Sequence, residues 1–447
     1  MTVAIPTTDA GGLPPGPRGL LPALMRFAND PVGSHARWIA RYGDPFTQPM
    51  PGFKMVVTGR ADVIQQVLAL PPDAFGVIDT GAAIMGRYSL VRLDGATHQA
   101  VRRQVGPLVM EPLRDGNGLA LQAIARRLFA EAVDRPAGPV VALTKRLTME
   151  VILRSVLNLS DPATVERFAS AYATLSAKAS FLLHFLPALQ IDLGPRSPWG
   201  RIKRARRQVD TIIGDVIDAA SAEPARFAAL GPVAAAAAIA SEPTLGTEAL
   251  RHQVFTLLSA GHSSTAQALA WAIHHAWSDP ARLARLRAEL DPLAPERDPG
   301  RVIRLPYLNA FCREVLRFRP IGPVIGRKLK KPIEFGGWSL PAGTMIGLSV
   351  VLADRDPAGY ADPNEFRPER FIDEGESVGR SIAFGGGVRH CLGANLALTE
   401  LKLALAELVA DYDVTLLGRQ PERHRVIDAV AGPAGGVKAR ISRRGAT

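Results

Sequence analysis

The segment FGGGVRHCLG, Phe384 to Gly393, sets three glycines, an arginine and one of the chain's two cysteines directly before a helix-like run. A glycine-rich turn leading into a helix presents free backbone N–H groups and the positive end of a dipole. Four chemistries use such a turn, and spacing separates them. A dinucleotide fingerprint needs GxGxxG, but after Gly385 and Gly387 the last position is His390. A P-loop needs a Gly-Lys-Ser/Thr end, which is absent. A cysteine-dependent phosphatase would begin His-Cys, as His390-Cys391 does, and would carry an arginine six residues after the cysteine. That position is Ala397.

The remaining chemistry is a thiolate metal ligand. Backbone N–H groups and the helix dipole ahead of Cys391 are expected to favour thiolate and to lower its pKa below about 8.5. A single thiolate suits haem iron, where an axial sulfur donates electron density and favours O–O cleavage. Glycines 385 to 387 and 393 would then let backbone approach a flat macrocycle, and Arg389 would meet a propionate. A buried cysteine in an ordinary turn is the competing reading for the residue taken alone.

At 447 residues, 47% of them apolar, the chain is long enough to bury a large core. Cys312 and Cys391 lie far apart without CxxC spacing, so neither a disulfide framework nor a multi-cysteine metal site is expected, and a reducing compartment fits. The N-terminus has no apolar run near the roughly 20 residues of a membrane span and no signal-peptide pattern. A cytoplasmic protein is expected. The formal charge of +11 is spread along the chain among acids, without zinc-finger spacing or aromatic–basic interleaving. This reads as a solvated basic surface that would suit an acidic protein partner, and not as a nucleic-acid interface.

Residues 1–22 are rich in Pro and Gly and read as an arm; residues 23–447 contain no Gly/Ser-rich linker and read as one domain. GFKMVVTGR, Gly52 to Arg60, reads as a strand, and ADVIQQVLAL after it as a helix. From Gly95 to about Asp291 the apolar spacing is mostly helical, with breaks near Pro136, Pro162, Pro187 to Pro198, Pro224 and Pro243. KPIEFGGWSLPAGTMIGLSV alternates between turn signals and reads as short strands. A helix follows the cysteine, and DYDVTLLG and residues 425–443 read as strands. The alanine run Ala234–Ala238 reads as a connector or frayed helix. The fold class is mainly α with minor β.

Phe384, Gly387, Arg389, Cys391 and Gly393 resemble the FxxGxRxCxG signature of the cytochrome P450 superfamily at every fixed position, and other landmarks follow in order from about residue 14 to the C-terminus. The resemblance implies a soluble, bacterial-type haem-thiolate monooxygenase, with haem b (iron protoporphyrin IX) between a long distal helix and the cysteine loop, and Cys391 as the iron ligand. Glu314 and Arg317 in PYLNAFCREVLRFRP resemble the ExxR helix, with Arg370 of FRPERF as third member of a buried network. His98 and Arg102 resemble HxxxR. With Arg327 and Arg389 they would surround two propionates, each charge-assisted bond contributing about 1.5–3 kcal/mol when shielded from water. Cys312 is expected only to pack.

Arg251–Ala276 resembles the helix that crosses the oxygen side of the haem, with Ala260 and Gly261 allowing close approach. There the family places an acid and then a threonine that relay protons to O2, the co-substrate; this chain has Ser263 and Ser264. Ser264, with Ser263, Thr265 and water, is expected to form the relay. Adjacent helix residues differ by about 100°, so all three cannot face one point. The competing expectation is back-bonding of these hydroxyls to carbonyls four residues earlier. His262 is expected to point away into packing.

The resemblance also puts substrate contacts at 77–90, 176–190, the long helix, Ile321–Ile325 and Ala429–Gly435. Met85, Leu257, Val324 and Val430 are expected to line a pocket for a terpene, steroid, fatty acid or polyketide-like molecule. The segment after Cys391 has no room for a fused flavin or iron–sulfur domain, so electrons are expected from a ferredoxin or flavodoxin with its reductase, acting on a monomer. The serine pair leaves open peroxide-driven, desaturating or coupling chemistry, and a haem sensor or carrier without turnover.

Overall fold

The computed structural model describes residues 12–78, 82–106, 109, 116–157, 159, 161–178, 190–222, 246–373, 381–418, 422–427 and 430–445. Ala234–Ala238, Pro187, Pro224, Pro243, Ala429 and most of the expected 176–190 contact region lie outside them.

Prolines divide the helices as their missing N–H requires. Pro162, Pro198, Pro280 and Pro306 each open a helix, at Pro162–Lys178, Pro198–Ala222, Pro280–Leu290 and Pro306–Phe318, where an N–H would have no partner in any case. The longest helix, Gly246–Trp277, has 32 residues and apolar groups around most of its circumference. A helix apolar on every side belongs inside, and Leu258, Leu269, Trp271 and Ile273 are fully buried.

Two core clusters meet along this long helix. Its C-terminal half packs with the helices Asn117–Val133, Pro306–Phe318 and Ala394–Asp411, through Leu128, Phe311, Leu401 and Leu405 among others. Its N-terminal half packs with Val140–Leu157, Pro162–Lys178 and Pro198–Ala222 through Ile152, Phe168, Ile213 and Phe255. No helix among the described residues is long and apolar enough to cross a membrane.

The main sheet has five strands in the order Phe46–Met50, Phe53–Thr58, Met345–Ser349, Val324–Leu329, Phe75–Gly76. The second and third are parallel, with Val57 opposite Gly347, although they stand some 290 residues apart in sequence. The other pairings are antiparallel. Ile333–Phe335 and Trp338–Leu340 form a hairpin turned by Gly336 and Gly337, at φ 60° and 88°, the positive angles a two-residue turn needs. Near the C-terminus, Tyr412–Leu416, Lys438–Arg443 and Gly138–Pro139 make a three-stranded sheet, and His424–Ile427 pairs with Val430–Pro433. The fold is mainly helical with small sheets, as the sequence pattern predicts. The long helix, the sheet and the cysteine loop face one another across a space that neither core cluster fills.

Candidate active site

That space is a cavity of about 460 Å³, within the range of small-molecule sites, and Cys391 stands in its wall. The loop that carries the thiol is held by its own backbone. Gly385 N–H donates to Ile382 O at 2.8 Å, His390 N–H to Gly387 O at 3.0 Å and Cys391 N–H to Phe384 O at 2.8 Å. The helix Ala394–Asp411 starts three residues later. The glycines divide the work differently from the expectation. Gly385 and Gly393 line the cavity. Gly386 and Gly387 instead face Leu68: a Cβ at Gly387, whose φ is 60°, would stand 2.1 Å from Leu68 O.

Cys391 is exposed and lines the cavity. Burial pushes its thiol pKa up, partly offset by the Gly393 N–H and the Arg102 charge. This corrects the expectation of a lowered value: desolvation outweighs the helix end here. A thiolate at this position therefore depends on a bound cation, since coordination to a metal deprotonates a thiol outright.

Four basic side chains share the cavity wall: His98, Arg102, Arg327 and Arg389. His98 and Arg102 lie one turn apart on the helix Gly95–Val105, whose Val101 and Val105 pack near Leu392 of the cysteine loop. Burial, with the charges of Arg389 and Arg102, lowers His98 to about 4. Burial and Arg389 lower Arg327 to about 10. Both shifts mark an excess of positive charge withdrawn from water. The anion found in the wall's immediate support is Asp94, which accepts from Arg389 Nη2 at 2.7 Å and from Val77 N–H at 3.1 Å and lies 3.2 Å from Lys330 Nζ. Among the described residues Arg327 donates to the neighbouring Gly326 O at 2.9 Å and has its guanidinium 5.4 Å from the Phe75 ring centre. A flat apolar group with two carboxylates, bound through metal to Cys391, fits this donor set; the rest of the wall is largely aliphatic.

The long helix forms the opposite wall with Leu257, Ala260, Gly261, Ser264, Thr265 and Ala268. Ser264 Oγ donates to Ala260 O at 2.7 Å, the back-bonded arrangement. Ser263 does not line the cavity, which corrects its expected place in the relay; the helical rotation that turns Ser264 inward turns Ser263 away. His262 is buried elsewhere, its Nδ1 3.0 Å from Thr148 Oγ1, as expected. Gly261 has a second demand on it: a Cβ there would lie 2.7 Å from Ile152 Cδ1 of the neighbouring helix, so its smallness also permits helix packing.

Two expected pocket residues are elsewhere. Val324 packs with Met55 and Val57 under the sheet, while Ile325 and Arg327 line the cavity. Side chains alternate along a strand, so Val324 and Arg327, being of opposite parity, could not both face one side. Met85 packs against the helical core cluster instead. Leu257 and Val430 line the cavity as expected, together with Ile152, Leu316 and Ile321.

Behind the loop, Glu314, Arg317 and Arg370 form the expected buried network. Arg317 donates to both Glu314 oxygens, at 2.6 and 2.8 Å, and Arg370 Nε to Oε1 at 3.3 Å. The remaining guanidinium groups reach the carbonyls of Asp354, Pro363, Ala361 and Asp362. Asp354, unmarked in the sequence, ties this network to the loop by accepting from Ser381 Oγ at 3.1 Å and Ile382 N–H at 3.2 Å. Burial raises its pKa to about 7.

The cysteine, the basic quartet and the buried triad fall together in a fold matched along nearly its whole length: the cytochrome P450 family model covers residues 14–431, and the chain belongs to that family. It is a monooxygenase of the haem-thiolate class. Among its relatives, a protein of Mycobacterium tuberculosis carrying the name cytochrome P450 135B1 is 30% identical, over 97% of this chain and 92% of its own length. Another, cytochrome P450 138 of Mycobacterium bovis, is 29% identical over 99% of both. The solved structure of a retinoic acid-bound cyanobacterial CYP120A1 shares the fold at a TM-score of 0.81 and 23% identity, covering 96% of this chain and 99% of that one.

Proposed function

We propose that this chain hydroxylates a lipophilic small molecule in the cavity between the cysteine loop and the long helix, using haem b held by Cys391. The observation that carries the reading is the thiol of Cys391 opening on the same cavity as His98, Arg102, Arg327 and Arg389. When bound, haem supplies the iron at which O2 is activated and one oxygen atom enters a C–H bond. Arg102 and the Gly393 N–H stabilise the sulfur's negative charge. His98, Arg102, Arg327 and Arg389 receive the propionates, with Asp94 orienting Arg389. Phe384 and Gly393 shape the sulfur side, and Ala260 and Gly261 the oxygen side.

Apart from that basic quartet, the wall is apolar, with Ile152, Leu257, Ile321, Ile325 and Val430 close together. Such a surface favours a terpene, steroid, fatty acid or polyketide-like substrate over a charged one. The ligand of the similar cyanobacterial structure, retinoic acid, is of this lipophilic kind. Ser264 holds a proton on Oγ, donated to Ala260 O at rest, and its lone pairs remain free to accept from substrate or water.

Electrons come from a separate ferredoxin or flavodoxin with its reductase. Arg389 turns inward to Asp94, so it does not serve as the docking cation. Arg103, exposed on the helix that packs near Leu392, is better placed to meet an acidic partner. The protein works as a cytoplasmic monomer with one catalytic domain; the helix Leu20–Asn29 runs across the expected boundary at residue 22, so the domain begins before residue 23. Turnover of a lipophilic substrate library with NADH, ferredoxin and reductase tests the reading. The expected result is hydroxylated product at a rate that falls with salt. Product formed with peroxide but not with any partner would replace it with the peroxide-driven reading, which the outward turn of Ser263 favours.

A further inference from the structure

Behind the cysteine loop lies a buried acid that the proposed chemistry leaves unused. Asp354 is 0% exposed, and among the described residues no Arg, Lys or His bonds to its carboxylate. Other buried acids have cations: Glu314 has Arg317 and Arg370, and Glu407 has Arg126 and Arg297. The arginines nearest Asp354 point elsewhere. Arg317 Nη1 donates to the backbone oxygen of Asp354 at 2.7 Å, and Arg355 donates to Phe318 O at 2.5 Å and Val351 O at 3.3 Å. A buried carboxyl without a cation resists ionisation, so ion pairing does not explain its place.

Its hydrogen bonds do. Ile382 N–H donates to Oδ1 at 3.2 Å and Ser381 Oγ to Oδ2 at 3.1 Å, while Ala383 N–H donates to Ser381 Oγ at 3.3 Å. Gly385 N–H closes the turn on Ile382 O at 2.8 Å. Ala383, Phe384 and Gly385 then line the cavity, and Phe384 O accepts from Cys391 N–H at 2.8 Å. Asp354 therefore holds the turn from which the backbone partner of Cys391 projects. We propose that Asp354 is a positioning residue for the sulfur side of the site: it fixes the Ser381–Gly385 turn, and its change of charge shifts the readiness of iron held by Cys391 to take an electron.

When Asp354 is ionised, Ser381 Oγ–H donates to Oδ2. When it is protonated, the carboxyl O–H donates to Ser381 Oγ instead, and the Ile382 N–H bond to Oδ1 remains. A negative charge in this water-poor interior opposes arrival of an electron at the iron, so reduction is easier with the acid neutral. Near the pKa of Asp354, each electron from the ferredoxin or flavodoxin brings with it up to one proton from water. That proton forms the O–H bond on Oδ2, the partner is oxidised and the iron is reduced.

Burial raises Asp354 to about 7, against the Ile382 and Ser381 bonds and the charges of Arg317 and Arg355. The other charged or titratable groups around it are Glu314 on the helix Pro306–Phe318, Arg319 beside Arg355, Tyr360 and Arg370. On the helix Pro31–Tyr42, His35 is turned to Ser349 and Gln48, and on the cysteine loop Arg389 is turned to Asp94. The folded value lies above the ordinary 3.8, so the folded chain keeps a proton that the unfolded chain releases. This share of stability is lost as pH rises from about 4 to 7.

The inference rests on the haem-thiolate reading, and the test separates the two. Haem-loaded wild type, Asp354→Asn and Ser381→Ala are compared between about pH 5.5 and 8.5 for midpoint potential by spectroelectrochemistry, thermal unfolding and the reduced CO-bound spectrum. The expected result is a wild-type potential that falls as pH rises, with its inflection near 7. Asp354→Asn keeps an oxygen for the Ile382 N–H but cannot ionise. It should lose the inflection, keep the CO spectrum and exceed wild type in unfolding midpoint by a margin that grows with pH. Ser381→Ala removes a bond that favours the charged form and should move the inflection to higher pH. A wild type without the inflection, Asp354→Asn retaining it, or Ser381→Ala leaving it in place would overturn the proposal; a wild type without the thiolate CO band would instead overturn the reading beneath it.

Discussion

Two sets of arginines in this molecule have the same chemistry and opposite circumstances. Arg317 and Arg370 sit in the protein interior with their N–H groups directed to Glu314 and a ring of backbone carbonyls. Arg102, Arg327 and Arg389 stand in the cavity wall with one supporting carboxylate, Asp94, bound to Arg389. The first set is complete within the chain and serves the fold. The second is withdrawn from water beside its own repulsion: burial first, and Arg389 after it, lower the pKa of His98 and Arg327, an arrangement suited to an incoming anion.

The comparison breaks first at the interior set. Glu314→Gln or Arg317→Ala leaves uncompensated charge at 0% exposure and is expected to cost about 3–5 kcal/mol, seen as loss of soluble, folded protein. In the cavity wall the expected effect is smaller and of another kind. Arg327→Ala should retain the fold by circular dichroism and lose haem about 10–100-fold faster, as transfer to a scavenger protein would measure, because each charge-assisted bond contributes about 1.5–3 kcal/mol. If Arg327→Ala unfolded the protein as Arg317→Ala does, the distinction between the two sets would fail.

Acid gives a more gradual effect. Burial lowers His35, His262 and His274 from 6.5 to about 4, so the unfolded chain binds protons that the folded chain refuses. Their stabilising share is fully present above pH 6.5 and declines as pH falls toward 4, by on the order of a few kcal/mol for each ring. Thermal unfolding between pH 7 and 4.5 should show a falling midpoint. A midpoint that held steady would contradict the burial of these rings.

How much of this was legible in the sequence follows from range. The cysteine loop, the ExxR pair and the HxxxR pair are local patterns, and the structure brings them to one cavity and its support. Short strands and proline-bounded helices were also readable. The parallel pairing of Val57 with Gly347 was not, because no local pattern records a partner so far away. Asp94 and Asp354 escape for the same reason: each is an ordinary acid until tertiary contacts set it against Arg389 or Ile382. Within the expected contact segment Ile321–Ile325, apolar character alone does not reveal which parity of the strand faces inward, so Val324 packs under the sheet while Ile325 lines the cavity. A glycine run beside a cysteine reads as room for a cofactor, whereas the close neighbour of Gly386 and Gly387 is Leu68.

The central claim is that Cys391 supplies a thiolate to haem iron. The reduced, CO-bound difference spectrum of wild type and Cys391→Ser, both checked for haem content, addresses it directly. The account predicts the red-shifted thiolate Soret band in wild type and its loss in Cys391→Ser. A wild-type protein that binds haem without that band, or a serine variant that keeps it, would contradict the account.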